Sequence, residues 1–276
     1  MTAGGGAPPR PEESAGAAGE SAAPRVAGKT HVGLQRPVNE DAFAVASSAD
    51  HGSPRSVAVV CDGIAGGAGG DRAATAAAEA ALAALVAVPG EPGESALRRA
   101  VAAAHRAVCQ AVIAPSDGKD EPGTTLVAAV ADGRSVDVAW VGDSRAYLVP
   151  RSGPAELLTH DHSWVSHVVD AGELTEEEAR ASKWAQVITR CIGPAEDPDP
   201  LRPPEPSLRS VASASPGWLV LCSDGVWGVF AAPEALGAVV RGAPDPDDAA
   251  GVTAWVMDRA LAAGAADDVT VAVVVL

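Results

Sequence analysis

The sequence is short of lysine and contains no cluster of basic side chains. Lysine occurs only at Lys29, Lys119 and Lys183, and no Lys/Arg run interrupts a formal net charge of −16 over 276 residues. An acidic surface repels phosphate backbones and anionic headgroups, which argues against nucleic acid and membrane as partners. Any phosphate chemistry must therefore recruit cations. The four cysteines, Cys61, Cys109, Cys191 and Cys222, have no CxxC spacing. Three lie in or beside apolar runs, which reads as reduced thiols of a cytoplasmic protein rather than a disulfide framework. No stretch has the apolar core of a signal peptide, and the longest apolar helical pattern, about 73–88, carries Glu79 and is too short to span a bilayer. The glycines Gly66, Gly67, Gly69 and Gly70 are not a nucleotide-binding loop, since no Gly-Lys-Ser/Thr ends them.

What is present is a globular chain with 47% hydrophobic residues, enough for a substantial core. Residues 1–25 are Gly, Ala, Pro, Ser and Glu, which cannot offset ordering entropy, so a disordered tail is expected ahead of one domain over 26–276. Apolar β-branched runs predict strands at about 41–46, 56–61, 124–131, 136–141, 146–149, 208–213, 218–222 and 269–276. The run at 56–61 stops at Asp62, and 124–149 reads as a three-stranded meander turning at Asp132-Gly133 and Gly142-Asp143. A polar connection at 50–55 makes a hairpin of the first two strands. Helices are expected at about 71–88 and 94–113, divided by a Pro/Gly breaker at 89–93, from Pro233, and at about 247–263. A polar helical region at 164–181, with Thr175 to Glu178 as a capping box, suggests an exposed flap over about 162–184. Strand blocks separated by helix pairs point to antiparallel sheets packed together with helices outside.

Acidic residues bound five of these strands. Glu40 and Asp41 open one, Asp62 ends another, Asp143 and Asp224 each follow one, and Asp267 and Asp268 precede the last. Each pair alone is a turn or a cap, but five converging acidic ends repel one another unless an oxygen-seeking cation such as magnesium or manganese joins them. His160-Asp161-His162 could be a transition-metal pair, yet no third ligand lies near, and a flap-anchoring role is the better reading. Gly142-Asp143-Ser144 resembles an esterase nucleophile block but lacks a histidine downstream of His167.

The stretches GLQRPVNEDAF, VVCDGIAGG, PGTTLVAAV, VGDSRAYL, LTHDHS, ITRCIG, LVLCSDGVWGV and ADDVTVAVV, in that order over about 27–276, resemble the bacterial metal-dependent serine/threonine protein phosphatases of the 2C type. The resemblance implies an α+β fold, an αββα sandwich of two antiparallel β-sheets flanked by helix pairs. It also implies hydrolysis of phosphoserine and phosphothreonine by direct attack of water activated by two manganese or magnesium ions, with a third, weaker ion. By the same resemblance Asp62 bridges both ions, the Gly63 carbonyl binds one, Asp224 and Asp267 bind the other, and Asp143 joins Asp224 at the third. Glu40 and Asp41 hold waters, and Arg36, otherwise a surface arginine, clamps the phosphate. Implied partners are a phosphorylated protein made by a bacterial serine/threonine kinase, and the chain is expected to be a cytoplasmic monomer.

Three positions depart from the family pattern. Ile64 stands where some members carry a histidine proposed as general acid, Ala65 and Gly67 replace the more usual Gly and His, and Asp268 replaces Asn. A pseudophosphatase that binds a phosphorylated signalling partner is the alternative; the completeness of the ligand set favours the enzyme.

Overall fold

The last strand shows why the layers form. In Val269–Val275 (β11), Val269, Val271, Val273 and Val275 face one way, Ala272 and Val274 the other, and all seven residues are buried. A strand apolar on both faces needs cover on both. The computed structural model, which describes residues 25–48, 55–64, 69–88, 90–111, 122–133, 135–194, 202–212 and 215–276, supplies it as an αββα sandwich. Residues 1–24, where the disordered tail is expected, and 65–68, with most of the glycine loop, lie outside the described residues, as does most of the 50–55 connection.

One antiparallel sheet orders Val26–His31 (β1), β11, Gly217–Cys222 (β10), Arg145–Pro150 (β7) and Glu156–Leu157 (β8). The other orders Asp41–Ser48 (β2), Arg55–Ile64 (β3), Leu126–Ala131 (β5), Ser135–Val141 (β6) and Ser207–Ala212 (β9), with Gly123–Thr124 (β4) on the end of β3. Ala58, Val60, Leu219, Leu221 and Ala272 fill the space between sheets. Gly70–Val86 (α1) and Gly93–Ala111 (α2) cover the second sheet, while Pro233–Arg241 (α6) and Ala249–Ala262 (α7) cover the first. In α1 the buried face is Ala73, Ala74, Ala77, Ala78 and Ala81, at helical spacing. A methyl-only face lets the helix lie close on the sheet.

Two expectations are corrected. The meander is not one: β5 and β6 pair in the second sheet, but β7 pairs β10 in the first. Gly142 carries the chain across with φ +108, and a Cβ there would lie 2.7 Å from Thr125, so the crossing needs glycine. The strand at 56–61 does not stop at Asp62 either. It runs on to Ile64 because β4 supplies a partner, pairing Gly63 with Thr124 and Ile64 with Gly123.

Between β8 and β9 the chain makes a long excursion holding Trp164–Asp170 (α3) and Glu176–Arg180 (α4). It has its own small core of Val165, Val168 and Ala179. The capping box forms as expected: Thr175 Oγ1 accepts the Glu178 N–H, and the Glu178 carboxylate accepts the Thr175 N–H at 2.9 Å. Among the described residues no helix is long and apolar enough to cross a membrane.

Candidate metal centre

The site is built on backbone that hydroxyls hold in place. Asp62 in β3 faces Asp41, the first residue of β2, as a cross-strand pair. The Asp62 N–H donates to Thr125 Oγ1 at 3.0 Å, while its carbonyl accepts from the Thr125 N–H at 2.8 Å and from Thr124 Oγ1 at 2.9 Å. Thr125 Oγ1 in turn contacts Ser144 Oγ at 2.7 Å, beside Asp143. Gly63 follows, its N–H donating to the Glu40 carbonyl at 3.1 Å. A Cβ on Gly63 would come within 2.5 Å of the Glu40 and Gly70 carbonyl oxygens, so only glycine lets these three backbones meet.

Asp224 sits in the first turn of Asp224–Trp227 (α5), a short helix missed in the sequence because four residues carry no period. Asp267 precedes β11, and Asp224, Asp267 and Arg36 line one cleft. Asp143 opens into a neighbouring cleft, and Gln186 and Gly228 line both. The carboxylates are near enough to repel. Enclosure first, then Asp41, Asp224, Asp143 and Asp267, push the Asp62 carboxyl well above its usual range. Enclosure and the neighbouring carboxylates push Asp224 up to about 8, enclosure and then Asp161 push Asp143 to about 6, and burial raises Glu40. Asp41 is buried and pushed up to about 7 by burial, against the pull of hydroxyls. Its Oδ2 accepts from Ser223 Oγ at 2.6 Å, but no described residue donates to its buried Oδ1.

Those observations fit a divalent cation. Hard oxygen donors, no sulfur or imidazole, an orphaned buried carboxylate oxygen and mutually raised acids are what such ions neutralise. As they stand, no three acidic, histidine or cysteine side chains among the described residues close on one point. One of these carboxylates is held by Arg36. Its Nε and Nη2 each lie 2.6 Å from an Asp267 oxygen, fork on fork, and this pairing raises the guanidinium pKa further. Asp268, the departure from Asn, points elsewhere: Oδ1 accepts the Gly33 N–H at 2.9 Å and Oδ2 the Glu40 N–H at 2.8 Å, tying the β1–β2 loop to the β11 entrance.

Sequence reasoning missed a second polar cluster beside Asp143. Arg145 is buried, grips Asp161 with Nε and Nη2 at 3.0 and 2.7 Å, and stacks 4.0 Å from the Trp227 ring centre. A signal was present: a charged residue opening an apolar strand must find a partner, and Asp161 was in view between two histidines. His162 supplies the expected anchoring. Its N–H donates to the Gly142 carbonyl at 2.9 Å and its carbonyl accepts the Thr189 N–H at 2.8 Å. Its Nδ1 accepts the Gly142 N–H at 3.1 Å, and its Nε2 lies 2.9 Å from both Ser207 Oγ and Arg190 Nη1. Burial and then Arg190 hold the ring neutral, down at about 4.

The profile described as Protein phosphatase 2C matches residues 27–258. Protein phosphatase PhpP of Streptococcus pneumoniae is 35% identical over 162 residues, which span 57% of this chain and 61% of that protein. The match thus covers less than two thirds of that relative. The crystal structure of Stp1 from Staphylococcus aureus superposes with a TM-score of 0.76 at 26% identity, over 91% of this chain and 94% of that one. The catalytic domain of PstP in complex with two manganese ions gives 0.72 at 29% identity, over 91% and 97%.

Proposed function

From the premise that this chain belongs to the protein phosphatase 2C family, we propose that it is a metal-dependent phosphoprotein phosphatase acting on phosphoserine and phosphothreonine. The observation that carries the reading is the set of carboxylates from separate strand ends that raise one another's pKa, with Asp41 Oδ1 buried and undonated among them. Two divalent cations, when bound, supply charge neutralisation at the phosphate and an activated water for in-line attack. Asp62, the Gly63 carbonyl, Asp224 and Asp267 hold them, and Asp143 with Asp224 holds a third more weakly.

The remaining work falls to this chain's own groups. Ser223 fixes Asp41 so that one oxygen stays free to orient water, and Glu40 does the same from the other side of Gly63. Arg36 shares a cleft with Asp224 and Asp267, and once Asp267 turns to a cation and releases it, its planar fork is free for a phosphomonoester dianion. Ile64 carries no proton, so the leaving serine or threonine oxygen takes its proton from water oriented by Asp143. The excursion over 162–184 selects protein substrates more than it contributes to chemistry.

The test is turnover of an aryl phosphate and a phosphothreonine peptide by the purified chain. Chelator should abolish both rates and manganese or magnesium restore them. Rates indifferent to chelation sink the metal reading, and no turnover with metal bound leaves only a binding protein.

A further inference from the structure

Among the described residues seven large apolar side chains are exposed, and five of them belong to the two segments that bound the reaction cleft. Val32, Leu34 and Val38 lie on the β1–β2 loop, which contributes Gln35 and Arg36 to the cleft wall. Trp184 and Val187 lie on the turn after α4, which contributes Gln186. Leu34 is 63%, Val38 56% and Trp184 49% exposed, so more than a single stray contact is on offer. Scattered apolar residues need no explanation, but a concentration around one cleft does.

Backbone hydrogen bonds hold both segments in place. The Leu34 and Gln35 N–H groups donate to the Ala265 and Ala266 carbonyls at 3.2 and 3.0 Å, and Asp268 holds the Gly33 N–H. On the other lip the Ala185 N–H donates to Ser182, the Val187 N–H to Trp184, and the Val187 carbonyl accepts from the Trp164 N–H at 2.8 Å. Backbone fixed in this way presents its apolar groups before any ligand arrives, which lowers the entropy cost of binding. The chain's own 1–24 segment has no Val, Leu, Ile, Phe or Trp with which to fill the lips.

We propose that the two lips grip the residues flanking the phosphorylated one, so that the enzyme prefers phosphoserine or phosphothreonine in an extended segment with large apolar neighbours. This rests on the phosphatase reading above. The occupant must thread between the lips because Arg36, Asp224 and Asp267 lie in the cleft they bound. In an extended chain side chains alternate, so the second residue on each side of the phosphoresidue faces the same way as the phosphate. Those are the positions the lips read.

The experiment scans leucine through positions −3 to +3 of a Ser/Gly phosphothreonine peptide, with the manganese-loaded full chain. It reads kcat/KM by phosphate release and affinity by anisotropy of a labelled peptide. Leucine at −2 or +2 should raise kcat/KM roughly tenfold, the scale of one apolar group in a matching pocket. Leu34→Ser and Trp184→Ser should each erase the gain on one side and leave aryl phosphate turnover as it was. A flat scan with good peptide turnover overturns the lips and spares the phosphatase. No turnover on any substrate overturns the phosphatase, and the anisotropy scan then decides the lips alone. If both serine variants keep the preference, or if they only dissolve a dimer seen by light scattering, the surface serves another occupant and the proposal fails.

Discussion

Two buried polar clusters lie within a few residues of each other in this protein and solve opposite problems. Around Arg145, each charge has its partner: Asp161 forks onto the guanidinium, Trp227 covers it, and His162 sits neutral with both ring nitrogens engaged. Around Asp62 the carboxylates share one sign, and among the described residues Arg36 is hydrogen-bonded to Asp267 while its charge also acts on Asp224 and Glu40. Burying charge is costly in either place, yet only in the first cluster are the described charges matched by the chain itself. The difference separates a strut from a site. A polar cluster that cannot be neutral without help is where a ligand is needed, and one that can is scaffolding.

The sharpest way to break the comparison is to remove one charge from each side. Asp62→Asn should cut metal-dependent turnover by about 10³-fold, the scale of losing one electrostatic group from a preorganised site. The same change should raise the melting temperature of the metal-free chain, since a repelled, enclosed carboxylate has gone. Calorimetry with and without manganese reads both. Retained activity would show that Asp62 is no ligand, and a destabilised metal-free chain would show that the centre is satisfied after all.

Asp161→Asn should do the reverse. It leaves Arg145 buried without a counter-charge, which costs about 3–5 kcal/mol. Denaturant unfolding should give that loss equally in chelator and in manganese, because Asp161 sits beside the centre and not in it. A loss that manganese repairs would move Asp161 into the metal site.

Raising the pH separates the clusters by sign. Asp41 and Asp224 titrate at about 7 and about 8 when folded, against 3.8 in an unfolded chain. Folded pKa values above the unfolded ones give stability that is complete below about 3.8 and is lost as pH climbs through 7 to 8. His162 runs the other way. Its folded value of about 4, below 6.5, gives stability present above 6.5 and lost as the pH falls through 4. Metal-free protein should therefore melt lower at pH 8.5 than at 6.5, with manganese removing the difference, while His162→Asn should flatten only the acid limb. A metal-free chain that gains stability toward pH 8.5 contradicts the repulsion assigned to the centre.

The reach of the sequence follows the same line. Strands such as β10 and β11 were legible because their burial is written in residue type, and the acidic ends stood out against those apolar runs. The switch of sheets at Gly142 was not legible. A glycine at a turn permits a hairpin and a crossing equally, and only the partners of β7 decide. That the strand runs on past Asp62 was hidden because the β4 residues that pair with Gly63 and Ile64 lie far along the chain and number only two. The Arg36–Asp267 pair spans 231 positions and leaves no local trace.

The smallest effect tests the residue that departs from its family. Asp268 lies next to Asp267, but its two oxygens are spent on the Gly33 and Glu40 N–H groups. An asparagine there can accept only one of these bonds and must turn its own NH₂ toward the other donor or away from it. Losing one such bond, with its partner able to reach water at the half-exposed Glu40, costs about 1 kcal/mol. Asp268→Asn should therefore lower stability by about that amount and leave manganese affinity within a few-fold, as titration calorimetry would read. A large rise or fall in metal affinity would mean that the carboxylate acts on the ions directly. A small one makes it the strut of the β1–β2 loop, the element that carries both Arg36 and the first apolar lip, so its effect on phosphopeptide KM should exceed its effect on aryl phosphate turnover.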